Sequence, residues 1–143
     1  MAIGVFVADK SAFEQQRHSA VADGLLKALA ADGALFMTEI VALELLYSTR
    51  SPADYEERWN GLATLPWLHL TAAVAHRALA IQGLLAARSA HRRPIPDLLV
   101  AATALEHDAT VLHYDHDFDL IAEATGLAAR WIIPRGSGHT GQP

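Results

Sequence analysis

Residues His113 to Asp119 read HYDHDFD and set three aspartates, Asp115, Asp117 and Asp119, at alternate positions straight after the apolar stretch Ala109-Thr110-Val111-Leu112. Carboxylates this close repel, and each raises its neighbour's pKa unless something cationic lies between them. A metal ion, an arginine or plain water can answer that need. Three more acids bear on the choice. Asp9 ends the apolar run Gly4–Ala8. Glu44 has Ile40, Val41 and Tyr47 at helical spacing, so a helix puts its carboxylate on a largely apolar stripe, where it needs a partner. Asp97 follows Ile95-Pro96 in the first turn of an expected helix.

Each acid alone has an ordinary reading. Asp9 can cap a turn or helix. Glu44 can be a rim glutamate paired with an arginine, and Glu39 reads as a solvated acid. Asp97 can simply favour the helix dipole, worth ~0.3–1 kcal/mol. Asp119 precedes Leu120-Ile121 and reads as the start or cap of a short helix. The D-x-D-x-D spacing imitates a calcium loop, but the sixth position is Leu120 instead of glycine and the twelfth is Gly126 instead of glutamate. Zinc through His113, His116 and Asp115 has no third histidine at a helpful spacing. A phosphatase-like D-x-D belongs on an early strand, and this one falls late. Together, Asp9, Glu44, Asp97 and Asp115 lie at strand ends, a helix start or an apolar helix face. Such hard oxygen donors suit Mg2+ or Mn2+ and metal-assisted phosphoryl hydrolysis.

The elements that must position these acids alternate. Strands are expected at 4–8, 34–37, 68–70, 110–113 and 130–133. Between them, helices are expected over 11–31, from Thr38 to about 49, from Ser51-Pro52 to about 65, from Thr71 to near 89, and from Pro96 to about 107. This order predicts an α/β fold, a mainly parallel sheet flanked by helices, with ligands beyond the carboxyl ends of the strands. Asp9 and Asp115 both fall there.

The 143 residues suit one domain over 1–134, with a Gly-rich tail, 135–143, expected to be disordered. Apolar residues make up 52% and charged residues 19%, an ordinary globular balance. No apolar run approaches the ~20 residues of a membrane helix. The opening MAIGVFVADK has no basic flank and is not expected to be a signal peptide. Without cysteine, disulfides and thiolate zinc sites are excluded, and a cytoplasmic location is expected. Sixteen acids against eleven basic residues give a charge of −5, which on its face speaks against nucleic acid unless several acids belong to a metal site.

Four short stretches carry a resemblance: VADKSA at 7–12, LELLYS at 43–48, IPDLLVAATA at 95–104 and VLHYDHDFDLIA at 111–122. In this order, over nearly the whole chain to about Pro134, they resemble the PIN-domain ribonucleases, specifically the VapC toxins of bacterial toxin–antitoxin pairs, and most of all the actinobacterial members. The resemblance implies a three-layer α/β/α sandwich and a metal-dependent endoribonuclease using Mg2+ or Mn2+. It assigns the acidic positions to Asp9, Glu44, Asp97 and Asp115, with Asp117 beside the last. Asp9, Asp97 and Asp115 then hold the ion, while Glu44 and Asp117 orient waters or bind a second ion. Ser11 becomes a hydrogen-bond partner of the first acid. Lys10, if extended, points away from the metal. Arg88, Arg92 and Arg93 become candidates for RNA contact, with Arg17 and Arg50 as further ones; a solvated helix end explains the first three equally well. The implied partners are RNA, a second copy of the chain, and a VapB-type antitoxin in a hetero-oligomer, seated in a groove along 43–48 and 51–65. Two other readings stand beside this one: an inactive PIN-like module binding RNA or protein, and a metal-dependent phosphatase for a small molecule, which would need an enclosed pocket.

Overall fold

Val5-Phe6-Val7 is β-branched and aromatic, and Phe6–Ala8 forms strand β1 in the computed structural model, which describes residues 4–138. The chain continues through α1 (Lys10–Gln15), α2 (Ala20–Ala31), β2 (Leu35–Phe36), α3 (Glu39–Tyr47), α4 (Pro52–Ala63), α5 (Ala72–Ala86), α6 (Ile95–Glu106), β3 (Thr110–His113), α7 (Asp117–Thr125) and β4 (Ala129–Trp131). The four strands are all parallel, in the order β2-β1-β3-β4, with Val7 opposite Val111 and Ala8 opposite Leu112.

Alternation along the strands builds the layers. Val7 and Val111 face a core shared with Val41, Val74, Ile81, Leu98 and Phe118, on the side of α3–α7. Ala8, Leu35 and Leu112 face the opposite side, against Ala12, Ala22 and Leu26 of α1 and α2. The result is the expected three-layer α/β/α sandwich. Caps hold several helices at the predicted places: Ser51 Oγ accepts from Asp54 N at 3.0 Å ahead of Pro52, and Thr71 Oγ1 accepts from Val74 N at 3.2 Å.

The structure departs from expectation at three places. The helix over 11–31 is two helices. Glu14 to Ser19 is a polar run with no apolar side chain to bury, and Ser19 caps α2 by accepting from Ala22 N at 3.1 Å. Residues 68–70 form no strand. Pro66 has no N–H to give a ladder, pairing is limited to one bridge between Met37 and Trp67, and the Leu70 N–H donates to the Glu39 carboxylate at 2.8 Å. Thr38 does stand at the cap of α3, but its hydroxyl is buried and makes no capping bond.

At the expected tail, the Gly136 and Gly138 N–H groups both donate to the Tyr114 hydroxyl, at 3.0 and 2.8 Å. Residues 139–143 lie outside the described residues. Among the described residues, no helix is long and apolar enough to cross a membrane.

Candidate active site

From β1 the chain crosses to β2 on one side, and later returns to place β3 on the other. That reversal opens a crevice beyond the carboxyl ends of β1 and β3, where α/β sheets bind ligands. Asp9 stands one residue past β1 and is 3% exposed. It caps α1: its Oδ2 accepts from the Ser11 N–H at 3.1 Å and the Ser11 hydroxyl at 2.8 Å, while Oδ1 is buried without a partner. Asp115 stands two residues past β3, and Asp117 opens α7, its N–H donating to Asp115 Oδ1 at 2.9 Å. Asp97 lies in the first turn of α6, 6% exposed, with Oδ2 buried and unpartnered.

Carboxylate oxygens of Asp97, Asp115 and Asp117 come within 4.8 Å of one another. Asp9 and Glu44 lie outside that set but act on Asp97 through their charge. Burial pushes Asp97 up to about 8, helped by the negative charges of Asp9, Asp115, Asp117 and Glu44. Burial likewise raises Asp9, against the Ser11 hydrogen bonds that favour its charged form, and raises Asp115. Glu44 is half-buried on α3 and raised by burial and then by Asp9; its Oε1 has no partner. Carboxylates brought this close repel one another, and a cation between them relieves that repulsion. The cluster is all hard oxygen, and its unpartnered buried oxygens fit a divalent ion such as Mg2+ or Mn2+.

The sequence profile described as the PIN domain matches residues 6–124. The chain belongs to the PIN-domain family. It is 48% identical over 109 residues to Ribonuclease VapC51 of Mycobacterium tuberculosis, covering 76% of this chain and 80% of that one. Ribonuclease VapC18 of the same organism is 37% identical over 139 residues, covering 93% and 98%. Among solved structures, VapBC2 from Rickettsia felis, bound to a DNA fragment from its promoter, superposes with a TM-score of 0.73 at 16% identity, covering 88% of this chain and 97% of that one. This last likeness concerns the fold.

Other residues of this PIN domain sit where local chemistry sends them. Lys10 is not extended. It begins α1, pairs with Glu14 at 3.5 Å, and is close enough to Glu44 to favour that carboxylate's charged form. Glu39 is no free solvated acid: it pairs with His69 Nδ1 at 2.6 Å, and its bonds from His69 and Leu70 outweigh the effect of burial and hold it below the usual glutamate value. Asp119 turns from the cluster and accepts from Trp131 Nε1 at 3.1 Å, in the first turn of α7 instead of at its start. His116 is exposed and pairs with Asp119, so it does not join His113 around a zinc ion. Of the three arginines before Asp97, Arg88 and Arg92 are exposed, but Arg93 turns inward and donates to Asp117 Oδ1 at 2.5 Å.

Sequence reasoning missed the part His113 plays. It is fully buried between Phe118 and Trp131, with ring centres 5.1 and 5.0 Å away. Its Nδ1 accepts the Asp115 N–H at 3.2 Å, which leaves the ring proton on Nε2. Burial pulls its pKa down to about 4, so it is neutral at pH 7 and fixes the turn that presents Asp115. The only signal for this in the sequence was a histidine ending an otherwise apolar strand.

Proposed function

We propose that the chain is a divalent-metal-dependent endoribonuclease and the toxin of a pair with a VapB-type antitoxin. The observation that carries the reading is the convergence of Asp97, Asp115 and Asp117, with Asp9 and Glu44 within electrostatic reach, in a PIN domain whose relatives are named VapC ribonucleases. Asp97, Asp115 and Asp117 would hold the ion, Mg2+ by preference and Mn2+ as a substitute, with Asp9 reaching it directly or through water. When bound, the ion supplies Lewis acidity and lowers the pKa of an attacking water. Ser11 keeps Asp9 aimed into the crevice. Asp97, raised by burial, would bind the ion as a carboxylate after releasing its proton to solvent water. Glu44 orients water through its free oxygen. Water adds to phosphorus in line as the bond to the 3′ oxygen breaks, leaving a 5′-phosphate and a 3′-hydroxyl.

Two open grooves beside the crevice support the substrate and the partner. One, about 620 Å3, is lined by Arg17 and Arg58, which suit RNA phosphates, and by Lys10 with its partner Glu14. The other, about 770 Å3, runs along α1, α2 and α4 over Phe13, Leu26, Leu35, Leu62 and Leu65, suited to an apolar antitoxin segment. Exposed Leu43 and Tyr47 on α3 offer surface for a second copy. Neither groove is the enclosed pocket that a small-molecule phosphatase needs. The test is to incubate purified protein with total RNA and magnesium and map the cut ends. Ends carrying 5′-phosphate support the reading; 2′,3′-cyclic phosphates would exclude attack by water.

A further inference from the structure

We infer that Arg93 is a built-in cation of the acidic site, which holds Asp117 in the absence of metal and competes with the divalent ion for that carboxylate. The inference rests on the metal-site reading above. The Arg93 guanidinium donates to Asp117 Oδ1 at 2.5 Å, with the two side chains only 24% and 22% exposed. Among the described residues, no other ion pair reaches Asp9, Glu44, Asp97, Asp115 or Asp117; Lys10, whose charge is felt by Glu44, is paired with Glu14. Arg93 immediately precedes Pro94, the cap of α6, and so is carried on the segment that also delivers Asp97. The residue before a proline is biased to extended backbone, which throws its side chain across the crevice instead of along the helix.

The chemistry of the pair points to exchange. Asp117 Oδ1 is taken by the guanidinium, yet Asp117 also contributes an oxygen to the set lying within 4.8 Å of Asp97 and Asp115. A guanidinium and a divalent ion cannot both lie close to that carboxylate without repelling each other. Arg93 is also incompletely bonded: its Nε is buried with no partner. The head group is therefore fastened through one contact to Asp117 and is not locked by a second. Asp115, by contrast, accepts the Asp117 N–H at 2.9 Å, and no guanidinium or ammonium pairs with it. This divides the labour between the two: Asp115 is the constant ligand and Asp117 the exchangeable one. Arg93 is thus a positioning residue that acts through Asp117.

The test measures Mn2+ binding by calorimetry and thermal unfolding in EDTA and in MnCl2, for wild type, Arg93→Gln, Arg93→Lys, Asp117→Asn and the Arg93→Gln/Asp117→Asn double variant. Arg93→Gln should bind Mn2+ roughly tenfold tighter, the scale of one charge-assisted hydrogen bond, and should melt lower in EDTA but gain more from Mn2+. Arg93→Lys, which keeps the charge without the fork, should fall between; it also stands in if Arg93→Gln does not fold, since it must then bind tighter than wild type. On the Asp117→Asn background, Arg93→Gln should change Mn2+ affinity little, because the shared carboxylate is gone. Mn2+ binding by wild type with no tightening in either Arg93 variant overturns the inference alone. An equal tightening on the Asp117→Asn background also overturns it, since the effect would then be general electrostatics. Failure of wild type to bind Mn2+ at all overturns it together with the metal-site reading.

Discussion

The hydroxyl of Ser11 accepts the backbone N–H of Tyr114 at 2.9 Å, so a side chain in the first turn of α1 fastens the carboxyl end of β3. The same hydroxyl donates to Asp9 at 2.8 Å. One oxygen thereby ties together the two strand ends that carry Asp9 and Asp115. Ser11→Ala should destabilise the protein by about 1–3 kcal/mol, because it strands a partly buried N–H and weakens the bonding of a buried carboxylate. It should also reduce cleavage while RNA binding persists. Urea unfolding, with cleavage and binding assays, checks this; unchanged stability together with unchanged activity contradicts it.

Asp97 gives the metal-free protein a pH dependence of definite sign. Its folded value of about 8 lies above the ordinary 3.8, so the folded state binds the proton more tightly and stability is lost as pH rises between those values. His113 acts oppositely: its folded value of about 4 lies below 6.5, so its contribution is full above pH 6.5 and lost as pH falls towards 4. Between about pH 6.5 and 8, His113 is silent, and Asp97, together with the raised carboxylates beside it, sets the slope. The melting temperature in EDTA should fall across that window in wild type and stay flatter in Asp97→Asn, which should melt higher than wild type at pH 8. A melting curve for Asp97→Asn that falls as steeply as wild type would show that Asp97 is not the titrating group.

Asp115 and Asp119 are four residues apart and should behave differently. Asp115→Asn removes a group from the cluster and should abolish cleavage. Asp119→Ala releases only the Trp131 and His116 contacts, so cleavage should persist with a stability loss of about 1 kcal/mol. Parallel cleavage assays decide. An equal loss in both variants would mean that the alternation of aspartates had been misassigned.

Arg58 lines both grooves and, among the described residues, has no ion-pair partner. Arg58→Glu reverses a charge on α4 without emptying the core. If the antitoxin lies there, co-purification with the product of the neighbouring small reading frame should weaken by roughly tenfold or more in affinity. Full binding by the variant would move the antitoxin elsewhere.

Much of this was legible along the chain, for physical reasons. Strands as short as GVFVA and TVLH are buried on both faces and read as apolar runs, so the sheet and the strand-end acids Asp9 and Asp115 could be placed. Helix starts were legible where serine, threonine or proline marks them, as at Ser51-Pro52 and Thr71. Helix faces were not. In α3 apolar residues lie all round the axis, so the sequence put Tyr47 beside Glu44 on one apolar stripe, yet Tyr47 is 88% exposed while Val41 is fully buried. The side that α3 buries is set by contacts distant in sequence. Arg93 was illegible for the same reason: it looks like Arg88 and Arg92, and only the position of Asp117, twenty-four residues later, draws it inward.

If these carboxylates seat a divalent ion for RNA cleavage, activity must depend on both the ion and Asp97. The most direct measurement compares wild type with Asp97→Asn on one defined RNA, purified side by side, in magnesium and in EDTA. Wild type should cleave in magnesium and not in EDTA, and Asp97→Asn should cleave in neither although it remains folded. Cleavage by wild type that persists in EDTA, or by Asp97→Asn at the wild-type rate, would contradict this dependence.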